Sequence, residues 1–199
     1  MFGLFRKARR ARRGEDHVWA SEAARDAGVL RETERLAAGG ASVVAVALTA
    51  TALDDLLGGL GPHAPAACKD LFGQGALRVR LGQPGTVTVA LASALPIPAP
   101  AAPRPEAEAP ASSPPVEFVV FGRHRRREAD DGVVAFADDL GPRARVTFHL
   151  SFDDPLLSEV MGSVRNLLST LGVTEDEPIV HGMVTRAIAR AQGKASCGP

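Results

Sequence analysis

Only two cysteines occur among the 199 residues, Cys68 and Cys197, far apart and in no C-x-x-C spacing. Their scarcity excludes a disulfide framework and a cysteine-based zinc cluster, and it fits a reducing cytoplasm. Long apolar runs are lacking as well: none approaches the roughly 20 residues that span a bilayer. The basic opening, residues 1–13, is not followed by an apolar core and a small-residue cleavage site, so it does not read as a signal peptide. An excess of one charge is also missing. The 23 basic groups balance 23 acidic ones, so no whole-chain field attracts nucleic acid or membrane, and any electrostatic function must be local. Lysine is confined to Lys7, Lys69 and Lys194. The arginine bias that remains reads as base composition and carries no functional weight.

What the sequence holds is an alternation of helical and strand patterns. Ser21 caps a helix reaching about Ala38, with Ala23, Ala24, Ala27 and Leu30 at helical spacing and Gly39-Gly40 as its stop. Its apolar stripe is small and suited to close packing, and Trp19 just ahead supplies a large anchor. Residues 42–48 read as a strand buried on both faces of a parallel sheet. Thr49 or Thr51 then caps a helix through Leu53, Leu56 and Leu57 to Gly58-Gly59. Residues 86–91 and 116–121 are further strands, rich in β-branched or aromatic side chains. Residues 132–140 are helix-like, and residues 145–150 form a last strand. One closing helix starts behind Asp153-Asp154-Pro155, and another runs from Ile179 or His181 to Gln192. The alternation implies an α/β fold with a parallel sheet flanked by helices. Residues 95–115 hold about half of the 15 prolines. So many missing backbone donors make that stretch an extended, solvated linker within the domain.

The expected organisation is a basic amphipathic tail (1–14), an α/β domain (15–152) interrupted by the linker, a helical segment (153–194) and a short end (195–199). In the tail, Phe2, Leu4 and Phe5 stand beside Arg6, Lys7, Arg9, Arg10, Arg12 and Arg13. As a short surface helix it would seat its apolar residues in the headgroups of an anionic membrane, each basic residue adding about 1 kcal/mol. A disordered arginine-rich tail and a contact with RNA or ribosome are the other readings of the same charge.

The densest internal basic run is Arg123-His124-Arg125-Arg126-Arg127. It follows a strand, where α/β folds bind ligands. Arg123, His124, Arg125 and Arg126 are therefore the candidate cofactor-binding residues, for a phosphate or an acidic peptide, against the alternative of a solvated loop. Asp130-Asp131 and Asp138-Asp139 have no phosphate-anchoring partner and read as residues that cap or solubilise a surface helix, not as magnesium ligands. His149 reads as a surface or boundary histidine and His181 as a first-turn helix residue, so no metal site is expected. No Ser-His-Asp or Cys-His arrangement has local support, and no catalytic residue is named.

Residues 148–156, Phe-His-Leu-Ser-Phe-Asp-Asp-Pro-Leu, followed by residues 171–192, which open Leu-Gly-Val-Thr-Glu-Asp-Glu-Pro-Ile-Val-His-Gly-Met-Val, resemble SecA, the ATPase that drives preproteins through the bacterial translocon. Weaker similarity extends back through residues 43–57, Pro62-His63, Ala67-Cys68-Lys69, residues 85–90 and Gly122-Arg123-His124. The resemblance implies a RecA-like, helicase C-terminal-like domain, the second nucleotide-binding domain of that family, passing into the start of its helical scaffold. It also implies a role in protein translocation with the translocation machinery as partner.

Departures from the family pattern shape the expected function. The family's nucleotide-touching loop after the position of Ala90 is replaced by Leu91-Ala92-Ser93-Ala94-Leu95-Pro96. By ungapped correspondence, the arginines that stabilise a transferring phosphoryl group fall on Val134, Phe136 and Asp139. The phosphate-binding loop and magnesium carboxylates belong to the family's first domain and do not occur in this sequence. The expectation is a pseudo-ATPase, a cytoplasmic and peripherally membrane-associated binding module without a bound cofactor. The alternative is an ATP-binding subunit of an export motor that a partner completes.

Overall fold

Every residue of Ser42–Ala47 is buried, as a central parallel strand covered on both faces requires. In the computed structural model, which describes residues 11–61, 66–68, 74–96, 113–157 and 177–196, this strand is the third of eight. The strands are β1 (Arg12–Arg13), β2 (His17–Trp19), β3 (Ser42–Ala47), β4 (Ala66–Cys68), β5 (Val87–Leu91), β6 (Val116–Phe121), β7 (Ala144–Ser151) and β8 (Ile179–Val180). The helices are α1 (Glu22–Ala38), α2 (Ala50–Leu60), α3 (Gln74–Arg80), α4 (Arg127–Asp139) and α5 (Gly182–Ser196).

The sheet order is β4-β5-β3-β6-β7-β2-β8, with β1 also laid along β7. All pairings are parallel except the antiparallel pair β2–β8. Side chains alternate between the faces with period two. Val43, Ala45, Val87, Val89 and Val119 pack with Val29 of α1 and Leu53, Leu56 and Leu60 of α2 on one face. Val44, Val46, Phe118, Val120, Val146 and Phe148 pack with Leu77 of α3, Phe136 of α4 and Ile188 of α5 on the other. The result is the parallel α/β sheet flanked by helices that the alternating pattern implied.

Helix starts follow their caps. The Ser21 hydroxyl accepts the Ala24 N–H at 3.2 Å and Thr49 accepts that of Ala52 at 3.2 Å, each satisfying a donor that the first turn leaves open. Several boundaries depart from the sequence reading. Helix α2 does not stop at Gly58-Gly59 but continues to Leu60 and ends at Gly61, whose φ is +51°. Gly59 instead serves close packing, since a Cβ there would press on the Leu30 side chain of α1. Helix α4 starts at Arg127, ahead of Gly132, with Glu128 and Asp130 at its positive end. Ile179–Val180 pairs with β2, which delays α5 to Gly182.

Arg12 and Arg13 lie in β1, paired with Arg145 and Val146, and are not part of a surface helix. Both side chains remain exposed, and Arg13 meets Asp131 at 3.5 Å. Phe2, Leu4, Phe5, Arg6, Lys7, Arg9 and Arg10 lie outside the described residues, as do most of the proline linker and residues 158–176. Among the described residues no helix is long and apolar enough to cross a membrane.

The small stripe of α1 has its reason in Trp19, which is 4% exposed. A Cβ on Gly28 would overlap the indole ring. Alanine at this position would gain about 1 kcal/mol of helix propensity, but a rigid aromatic ring cannot yield to it. Gly28→Ala is therefore expected to lower unfolding stability by about 1–3 kcal/mol, read as a lower urea midpoint at unchanged slope. Equal or higher stability would show that the indole does not sit against α1.

Candidate functional site

Two buried polar clusters lie on opposite faces of the sheet near β7. The first begins at the carboxyl end of β6, where Gly122, with φ +95°, turns the chain. Arg123 Nε and Nη2 both donate to Asp16 Oδ1, at 3.0 and 2.6 Å. Its Nη1 donates to Asp130 Oδ2 at 3.2 Å, and its guanidinium lies 3.9 Å from the centre of the Phe148 ring. Asp130 Oδ1 accepts the His124 backbone N–H at 2.9 Å. Gln192 of α5 donates to Asp130 Oδ2 at 2.6 Å and to the His124 carbonyl at 2.8 Å. Asp16 and Asp130 are each 1% exposed and Gln192 2%. The network therefore ties the segment before β2, the loop after β6, α4 and α5 to one guanidinium.

Burial changes the reading of the basic run. Arg123 is not part of a solvated loop: its donors are taken by two buried carboxylates. Asp130 is not a surface cap but the acceptor that organises the loop. The His124 ring accepts the Arg126 N–H at 3.0 Å and is exposed. Arg125 and Arg126 face solvent, and exposed Arg127 pairs with Asp131 at 3.7 Å. Asp138 accepts the Ala11 N–H at 3.0 Å. His181 sits ahead of α5, its carbonyl accepting the Val184 N–H at 2.9 Å. The four candidate residues thus share a loop, but Arg123 turns inward while Arg125 and Arg126 turn out.

The second cluster lies under α1. Parallel register sets His17 of β2 beside His149 of β7, with ring centres 4.7 Å apart and nearly perpendicular. Glu32 of α1 reaches both: its Oε2 is 3.5 Å from His17 Nδ1 and 3.6 Å from His149 Nε2. Trp19 Nε1 donates to His149 Nδ1 at 3.3 Å, and the indole stacks on the imidazole. Burial drives the His149 pKa down to about 3, so the ring is neutral at physiological pH. Burial opposes ionisation of Glu32, yet contact with His17 and the field of its basic neighbours hold its carboxyl below the usual range.

His149 is thus not a surface residue but fully buried. Its alternation with Phe148 and Leu150 shows only that it points to the other face, and α1 covers that face too. Sequence reasoning singled out neither His17, Glu32, Asp16 nor Gln192 as site residues. No local spacing joins them, because parallel pairing brings together segments from both ends of the chain.

Removing Arg123 would leave Asp16 and Asp130 buried without a counter-charge. Arg123→Ala is expected to cost about 3–5 kcal/mol, measured by chemical denaturation. A loss below about 1 kcal/mol would show that the pair is solvated.

No protein-family model matches the chain. The protein translocase subunit SecA of Desulfotalea psychrophila is 40% identical over 81 residues, covering 40% of this chain and 9% of the relative. SecA of a Psychrobacter species is 38% identical over 73 residues, covering 36% of this chain and 8% of the relative. That of Bordetella petrii is 40% identical over 73 residues, with 36% and 8% covered. The aligned stretch thus spans less than a tenth of the length of these relatives. Among solved structures, the C-terminal part of the Fun30 ATPase domain superposes with a TM-score of 0.41 at 9% identity, covering 84% of this chain and 51% of that one. With a parallel α/β sheet and this sequence identity, the chain is a relative of the SecA translocase subunits over about two fifths of its length.

Proposed function

We propose that this chain is a non-catalytic SecA-related module that docks on the protein-translocation machinery, with residues 1–13 assisting at an anionic membrane surface. The observation that carries the reading is the use made of α4. Of the positions that correspond to the family's phosphoryl-stabilising arginines, Val134 and Asp139 are half-buried, and Phe136 is fully buried edge-on against Phe118. Stabilising a transferring phosphoryl group takes cations aimed at its oxygens. In α4 the corresponding positions hold an aliphatic, an aromatic and an acidic side chain, and the last would repel a phosphate. Arg123, the inward cation of the loop before α4, is already paired with Asp16 and Asp130, while the exposed Arg78 of α3 lies 6.0 Å from the centre of the Phe136 ring.

Kinship with translocase subunits supports a protein partner, and the outward Arg125 and Arg126 leave positive charge beside the carboxyl edge of the sheet. The test has two arms. Fluorescent ATP titrated onto the purified chain with magnesium is expected to show no saturable binding in the micromolar range. Affinity capture of the tagged chain from its native source is expected to recover a membrane-export component. Saturable micromolar nucleotide binding would contradict the non-catalytic reading, and capture without any export component would contradict the translocation role.

A further inference from the structure

We propose that His17, Glu32 and His149 form a mononuclear site for a divalent transition-metal ion of the zinc type, clamping β2, α1 and β7 together. Two imidazoles and one carboxylate are a donor set that such ions favour. One potential ligand atom from each of the three residues lies within 4.8 Å of the other two. The separations measured from Glu32 Oε2, 3.5 and 3.6 Å, are close to the roughly 3.3 Å between donors of a tetrahedral ion with bonds near 2.0–2.1 Å. The two imidazole nitrogens lie within 4.8 Å of each other, and a tetrahedral ion would draw them to about 3.3 Å.

A second observation points the same way. His17 Nδ1 and His149 Nε2 are buried and share one carboxylate oxygen, Glu32 Oε2, at 3.5 and 3.6 Å, neither contact being a well-formed hydrogen bond, although buried polar nitrogens ordinarily find a close partner. His149 is 0% exposed, so an ion bound there would be shielded from bulk water on that side. Arg35 lies 4.0 Å from the other oxygen of Glu32.

Ligation through His149 Nε2 places the ring proton on Nδ1, which then no longer accepts the Trp19 N–H. The Trp19 and His149 N–H groups would then face each other at 3.3 Å, so the indole or the imidazole has to turn for the ion to bind. Trp19 is the only tryptophan, so this rearrangement provides its own optical signal. Three protein ligands leave a fourth position for water or for a donor from a partner.

The test uses the full chain, stripped with chelator and titrated with zinc by calorimetry, and with cobalt(II) as an absorbing probe. One equivalent is expected to bind, altering Trp19 emission, raising the thermal midpoint and giving the visible bands of low-symmetry cobalt. Glu32→Gln is expected to weaken binding by more than about 100-fold, beyond the 10–100-fold loss that follows removal of a merely orienting partner. Glu34→Gln, on the exposed side of the same helix, is expected to leave affinity unchanged. If the Glu32 variant fails to fold by circular dichroism, His17→Gln replaces it with the same expected loss. Absence of saturable binding by the native chain, or binding of equal strength in the Glu32 or His17 variant, would overturn the site.

Discussion

A guanidinium enclosed by two buried carboxylates is the constraint on which the rest of this structure depends. Arg123 meets Asp16 and Asp130 while lying on Phe148, and Gln192 seals the arrangement from α5. A buried ion pair of this kind contributes little net stability over an apolar substitute, because desolvation offsets the attraction, but it is unforgiving once one member is lost. Its effect is to fix geometry. The segment entering β2, the turn after β6, α4 and the last described helix are tied together by these shared hydrogen bonds, while Asp16 Oδ2 stays buried without one. Arginine suits this place better than lysine because its planar fork reaches Asp16 through two nitrogens and Asp130 through a third.

That constraint bears on function through its position. The carboxyl edge of a parallel sheet is where α/β proteins ordinarily meet ligands, and in this chain the first cation beyond β6 is engaged by the protein itself. Helix α4 follows the same logic: Phe136 is a core residue packed on Phe118. Residues that could serve charge chemistry thus serve cohesion. The sequence kinship with the translocase subunits covers about two fifths of the chain and less than a tenth of the relatives.

Much of the scaffold is legible in the amino-acid sequence. Strands β3, β5, β6 and β7 declare themselves because β-branched and aromatic runs have no comparably stable alternative, and Ser21 and Thr49 mark helix starts through a local hydrogen bond. What escapes is whatever depends on packing between distant segments. Gly58-Gly59 reads as a stop in one dimension, whereas in three Gly59 is the contact that admits Leu30. Ile179–Val180 fits a helical stripe, yet the edge of β2 offers it a partner.

The candidate sites are the least legible part, for the same reason. Arg123 carries its charge in plain view, but nothing near it announces that Asp16 completes it. The direct measure is a double-mutant cycle between Arg123→Ala and Asp16→Ala, followed by urea denaturation. If the guanidinium is held by the fold, the two substitutions should couple by about 2–3 kcal/mol, the double variant being far less damaged than the sum of the single ones. Coupling below about 0.5 kcal/mol would contradict that commitment, and would mean that Arg123 remains available to an anionic ligand.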